Sequence, residues 1–137
     1  MKLFLDSTIW LRYLLQDDDL AYLSCSKLMK SVREGRIRPY ASSVVFLEVY
    51  WVLTSTYGIS KIEAQKDIAT ILESRGLVIV EKTDFHSAFV LHTKTGVKLA
   101  DSLIATQIPK GVELCTYDRE FARIPSLKTV TPEEKMM

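Results

Sequence analysis

Short apolar runs alternate along the chain with longer stretches in which apolar residues recur every three or four positions. Residues 2–6, 37–42, 77–81, 112–116 and 128–130 are brief and rich in apolar or β-branched side chains, the pattern of strands. Residues 21–34, 44–57, 61–74, 84–94 and 99–108 carry helical spacing. Gly35, Gly58 and Gly76 stand just past the first three of these, where helices commonly stop, and Pro109-Lys110-Gly111 closes the last. Ser60 is placed to cap the third, with Glu63 completing a capping box. The alternation predicts a single domain over residues 1–137, an α/β three-layer sandwich with a mainly parallel central sheet flanked by helices. Ligands bind such sheets beyond the carboxyl ends of the strands, so the residues there matter most. Residues 131–137 read as a polar, frayed tail.

Composition narrows the class. Apolar residues at 47% and charged residues at 26% are those of an ordinary soluble globule. A net charge of +1 provides no global field for nucleic acid, so any such contact must be local. Cys25 and Cys115 lie far apart without C-x-x-C or Cys/His spacing, which predicts buried, reduced thiols. His86 and His92 are six positions apart and so do not share a helix face. Only Leu3, Phe4 and Leu5 form an apolar run before Asp6, too few for the core of a signal peptide. The longest apolar stretch, 44–53, contains Glu48 and is too short to span a bilayer. A cytoplasmic protein with no membrane partner is expected. No G-x-G-x-x-G follows any strand, which excludes a dinucleotide fold, and Asp6-Ser7-Thr8 lacks the second acid of a D-x-D phosphotransfer motif.

Four acids stand where acids are costly or well placed for chemistry. Asp6 closes the first predicted strand and Asp118 the fourth; each also suits a helix N-cap, at Ser7 or at Arg119. Glu48 is the only charge among the 22 residues from Pro39 to Ser60, and its helical neighbours Val44, Val45, Trp51 and Val52 offer no salt bridge. An ion on an apolar helix costs several kcal/mol of desolvation unless a partner compensates it, so Glu48 either reaches solvent, meets a distant Arg, or serves a site. Asp101 lies in the apolar run Val97-Lys98-Leu99-Ala100-Asp101-Ser102-Leu103-Ile104-Ala105, where a favourable first-turn acid paired with Lys98 is the alternative. No matching cations accompany the four carboxylates, and a divalent ion would resolve their repulsion. An oxygen-only set suits Mg²⁺ or Mn²⁺ rather than zinc, and metal held this way fits phosphodiester hydrolysis without a protein nucleophile. Lys27, Lys30, Arg33, Arg36 and Arg38 form a basic run that is either a phosphate track or a solvated helix face.

The same positions carry a family resemblance over nearly the whole chain. Leu3-Phe4-Leu5-Asp6-Ser7-Thr8, Ser42-Ser43-Val44-Val45-Phe46-Leu47-Glu48, the run around Asp101, and Cys115-Thr116-Tyr117-Asp118-Arg119-Glu120-Phe121 resemble, in order, the four motifs of PIN-domain nucleases. The resemblance implies a PIN-like fold and cleavage of single-stranded RNA with Mg²⁺ or Mn²⁺. It places Asp6, Glu48, Asp101 and Asp118 at the catalytic, metal-binding positions, and Thr8 and Thr116 at hydroxyl positions that orient metal water or phosphate. At this size the chain is most similar to toxins of VapBC-type toxin–antitoxin pairs, which implies a homodimer blocked by a small antitoxin protein. The apolar, aromatic-rich Val49-Tyr50-Trp51-Val52 segment, too wide for one core, fits a dimer. The rival is a non-catalytic RNA-binding or protein-interaction domain on the same fold; intact acids argue against it, because a carboxylate cluster without metal only destabilises.

Overall fold

In the computed structural model, which describes residues 1–136, five strands form one all-parallel sheet in the order β3-β2-β1-β4-β5. The strands are β1 (Lys2–Leu5), β2 (Arg38–Ser42), β3 (Val78–Val80), β4 (Glu113–Cys115) and β5 (Thr129–Val130). The helices are α1 (Ser7–Leu15), α2 (Asp19–Arg33), α3 (Ser43–Trp51), α4 (Lys61–Leu72), α5 (Phe85–Thr95), α6 (Leu99–Gln107) and α7 (Pro132–Lys135), with a 3₁₀ turn at Arg119–Arg123. This is the α/β sandwich expected.

Successive residues of a strand face opposite sides of the sheet, and Leu3, Phe4 and Leu5 are all fully buried. Both faces of β1 are therefore covered, and β1 is the middle strand. The chain lays β2 and β3 on one side of β1, then crosses back to place β4 and β5 on the other. Strand order reverses between β1 and β4, the point at which open α/β sheets leave a crevice beyond their carboxyl ends. Trp10 floors this region: it is fully buried, its Nε1 donates to the Leu5 carbonyl at 3.1 Å, and its ring lies 6.0 Å from that of Phe46.

Two expectations need correction, and one element is added: residues 7–15 form α1, the helix that Asp6 as an N-cap at Ser7 allowed but whose extent the spacing did not give. The helix expected over 44–57 ends as α3 at Trp51 and continues through Val52–Thr56 as a π-helical turn, with Tyr57 N–H donating to the Val52 carbonyl at 3.1 Å. The Thr54 hydroxyl donates to the Tyr50 carbonyl there, competing with the regular ladder. Residues 131–136 are not frayed. Thr131 and Glu134 form a capping box over α7, Pro132 is buried, and Lys135 Nζ lies 2.5 Å from Glu113 Oε1. Met137, the end of the expected tail, lies outside the described residues. As expected, Ser60 caps α4, accepting from Glu63 N–H at 3.2 Å, and Cys25 and Cys115 are buried free thiols; the expected capping box does not close, because the Glu63 carboxylate meets Lys66 at 3.4 Å instead. No described helix is long and apolar enough to cross a membrane.

Candidate active site

The carboxyl ends of β1 and β4 are stitched together by side chains. Asp6 leaves β1 in extended conformation and caps α1, its Oδ1 accepting from Thr8 N–H at 2.5 Å and from the Thr8 hydroxyl at 2.7 Å. Its Oδ2 accepts a short hydrogen bond from the Thr116 hydroxyl at the end of β4. Thr116 Oγ1 in turn accepts from Asp118 N–H at 2.9 Å, and Thr8 Oγ1 accepts from Tyr117 N–H at 3.0 Å. Asp118 caps the 3₁₀ turn through Glu120 N–H at 2.9 Å. Capping and convergence are thus not alternatives for Asp6 and Asp118: both acids cap, and both reach the same crevice.

Glu48 enters from α3. It is half-buried, forms no ion pair among the described residues, and accepts a short hydrogen bond from the Ser7 hydroxyl. Asp101 enters from the first turn of α6, only 4% exposed, and its Oδ2 is buried without any hydrogen-bond partner. Lys98 lies near enough to act on it electrostatically but forms no ion pair with it among the described residues.

Electrostatics register this crowding. Burial pushes the Asp101 carboxyl up to about 7, reinforced by the negative charges of Glu48, Asp118 and Asp6. Burial likewise pushes Asp6 up to about 6, although hydrogen bonds from Thr116 and Thr8 pull it back. Oxygen atoms of Asp101, Asp118 and Glu120 lie within 4.8 Å of one another. A buried, unsatisfied oxygen facing an all-oxygen set fits a hard divalent cation, the partner that would offset the cost of leaving Asp101 Oδ2 bare.

The sequence profile of the PIN domain matches residues 3–127. The chain belongs to the PIN domain family. Solved PIN-fold structures bear out the architecture. A chain of VapBC2 from Rickettsia felis, bound to a DNA fragment from its promoter, is similar at 20% identity and a TM-score of 0.68, over 96% of this chain and 98% of that one. A chain of DNA-bound VapBC from Salmonella typhimurium is similar at 14% identity and a TM-score of 0.68, over 96% and 98%. A chain of VapBC-1 from nontypeable Haemophilus influenzae is similar at 17% identity and a TM-score of 0.65, over 97% and 99%. No curated protein sequence matches.

In this PIN domain the crevice gathers Asp6, Glu48, Asp101 and Asp118, with Thr8 and Thr116 spending their hydroxyl protons on Asp6. Sequence reasoning missed Ser7 and Glu120. The signal for Glu120 was its place two residues beyond Asp118, which a tight 3₁₀ turn folds back toward the same crevice. The basic run does not join the site. Arg38 opens β2 opposite Lys2, at the amino edge of the sheet, and donates to the Gly76 carbonyl at 3.3 Å, while Arg36 pairs with Glu34. Lys27, Lys30 and Arg33 are exposed on α2, as a solvated face would be. His92 Nδ1 lies 2.6 Å from the Val97 carbonyl, where it pins the loop entering α6.

Proposed function

We propose that this PIN domain is a cytoplasmic, Mg²⁺- or Mn²⁺-dependent endoribonuclease that hydrolyses phosphodiester bonds of single-stranded RNA, as the toxin of a toxin–antitoxin pair. The observation that carries the reading is the buried, unpartnered Asp101 carboxylate at the crevice shared with Asp6, Glu48 and Asp118. Gathering acids around a buried, partnerless carboxylate oxygen costs a scaffold stability and suits a cation site. Asp101 and Asp118 would hold the cation through carboxylate oxygens, with Asp6 and Glu48 completing the negative wall. Thr8 and Thr116 lock the Asp6 carboxylate at a fixed angle, and Ser7 does the same for Glu48. Near neutral pH Asp101 would hold a proton part of the time, and a cation held there would compete with it. Bound Mg²⁺ or Mn²⁺ supplies the Lewis acidity that makes water nucleophilic and neutralises charge on the departing oxygen.

The same reading includes two protein partners. Leu47 and Trp51, one turn apart on α3, are 69% and 62% exposed, and Leu47 lines an apolar groove with Leu72 and Ile79. A second copy covering this face would remove it from water. A small antitoxin protein is the other partner, supported by the VapBC complexes among the structures of like fold.

Cleavage of single-stranded RNA by purified protein in Mn²⁺ and its loss in excess EDTA test the enzyme; undiminished cleavage in EDTA overturns it. A dimer by light scattering at micromolar concentration, reduced to monomer by Trp51→Glu, tests the assembly, and a wild-type monomer overturns it. Recovery of an inhibitory partner from the native host tests the toxin assignment.

A further inference from the structure

A second hollow opens beside the acidic crevice. It is a cavity of about 370 Å³ beyond the carboxyl ends of β4 and β5, within the roughly 300–1,000 Å³ of small-ligand sites. Thr116 and Asp118 belong to its wall as well as to the crevice, so the two spaces adjoin. The 3₁₀ turn divides them. Residues three apart eclipse one another in such a turn, and Arg119 and Ala122 both line the cavity, whereas Glu120 brings an oxygen to Asp101 and Asp118. Hydrolysis at the acids makes no use of this space.

The cavity carries free groups of both signs. Arg119 is exposed, and its guanidinium makes no hydrogen bond or ion pair among the described residues. Glu134, also in the wall, gives Oε1 to the N–H and hydroxyl of Thr131 in the capping box of α7. That box fixes the side chain and leaves Oε2 uncommitted among the described residues. Asp118 adds a second negative charge. Two carboxylates against one guanidinium do not make a pocket for an anion. They suit a neutral ring with hydrogen-bond donors on its edge, joined to a phosphate that stays at Arg119, where a guanidinium pairs with two phosphate oxygens at once. Ala122 and Val130 supply apolar surface for the faces of such a ring. A nucleotide next to the scissile bond has this composition, and its phosphate needs a cation because the acids of the crevice repel the RNA backbone.

We propose that this cavity is a subsite for one nucleotide of single-stranded RNA adjoining the cleaved bond, with Arg119 on its phosphate and Glu134 accepting from its base. The subsite rests on the ribonuclease reading above and adds a specificity to it. Glu134 Oε2 accepts from an exocyclic amino group, which adenine, cytosine and guanine carry and uracil lacks. The pairing edge of uracil instead turns two carbonyl oxygens toward the carboxylate, which makes uracil the poorest occupant.

Fluorescence anisotropy of labelled oligoadenylate, oligocytidylate and oligouridylate with the full-length protein in EDTA tests it, because binding is then read without cleavage. The wild type is expected to bind the first two more tightly than oligouridylate, by about tenfold. Arg119→Ala is expected to weaken binding to all three alike and to lower the slope of log affinity against log salt by about 1, while Arg119→Lys keeps most of that slope. Glu134→Gln, whose amide both accepts and donates and still closes a capping box, is expected to erase the discrimination against uracil. Melting temperatures matching the wild type show that the variants fold. Unchanged affinity and salt slope in Arg119→Ala, or a discrimination against uracil that survives Glu134→Gln, overturns the subsite, and Mn²⁺-dependent cleavage by the wild type then leaves the enzyme reading standing. A wild type that binds none of the three also overturns the subsite, and one that in addition cleaves none in Mn²⁺ overturns the enzyme reading with it.

Discussion

Asp6 and Asp101 are both buried acids at one crevice, yet the protein treats them differently. Asp6 sits at the β1–β4 junction and receives hydrogen bonds from Thr8 N–H, the Thr8 hydroxyl and the Thr116 hydroxyl. Asp101 sits at the start of α6 with a buried oxygen that receives none. Burial raises the pKa of each, but hydrogen bonds restrain the rise at Asp6, whereas at Asp101 the neighbouring acids add to it. A carboxylate supplied with donors is part of the scaffold as well as of the site. A carboxylate denied them keeps its lone pairs uncommitted, and the contrast separates the two halves of the crevice.

The largest effect should come from neutralising either acid. Asp6→Asn and Asp101→Asn are each expected to lower RNA cleavage by at least about 10²-fold, the scale of removing one electrostatic group from a catalytic site. They part company in stability. Asp6→Asn places an amide where three donors converge and should destabilise the apo protein in urea melts, by about 1–3 kcal/mol. Asp101→Asn should leave it as stable or more so. Equal destabilisation by both would break the distinction.

Next in size is the support given to Asp6. Thr116→Val keeps shape and removes a donor to a buried carboxylate, which should cost about 1–3 kcal/mol and raise the Asp6 pKa further from about 6. Urea unfolding and carboxyl-carbon NMR titration measure the two.

A comparable effect depends on pH. Asp101 ionises near 3.8 when unconstrained and near 7 when folded. Between those values the folded state binds more protons than the unfolded, so stability falls as pH rises, and the penalty is complete above about pH 7. Asp101→Asn lacks the group. In EDTA it should match the wild type at about pH 4 and exceed it at about pH 8 by roughly 1–3 kcal/mol. A difference that shrinks as pH rises would contradict the sign.

The smallest effect concerns Glu48. It is half-buried and holds one hydrogen bond from Ser7, so Glu48→Gln should change apo stability by less than about 1 kcal/mol. It should nonetheless lower the Asp101 pKa, because Glu48 is the foremost charge raising it. An unmoved Asp101 titration would place Glu48 outside the crevice.

Much of this was written locally in the chain. Strand and helix periods reflect which positions are buried, and Ser60 and the glycines mark helix ends through their own backbone and side-chain chemistry, so an α/β sandwich with a mainly parallel sheet was legible in the sequence. Glu48 stood out because an isolated charge in an apolar stretch is anomalous on energetic grounds alone. Other features depend on what lies across the fold. Only the cap of α1, Asp6, was legible, and α7 was hidden because its anchors, Glu113 and Tyr117, come from elsewhere in the chain. The basic run looked like one track, but tertiary placement set Arg36 and Arg38 at the amino edge of the sheet, far from the acids' edge. That Asp6 is satisfied, that Asp101 is not, and that Glu120 joins Asp101 and Asp118 within 4.8 Å were decided only by tertiary structure. Sequence fixes which groups carry charge, but hydrogen-bond satisfaction and desolvation depend on neighbours that only folding brings together.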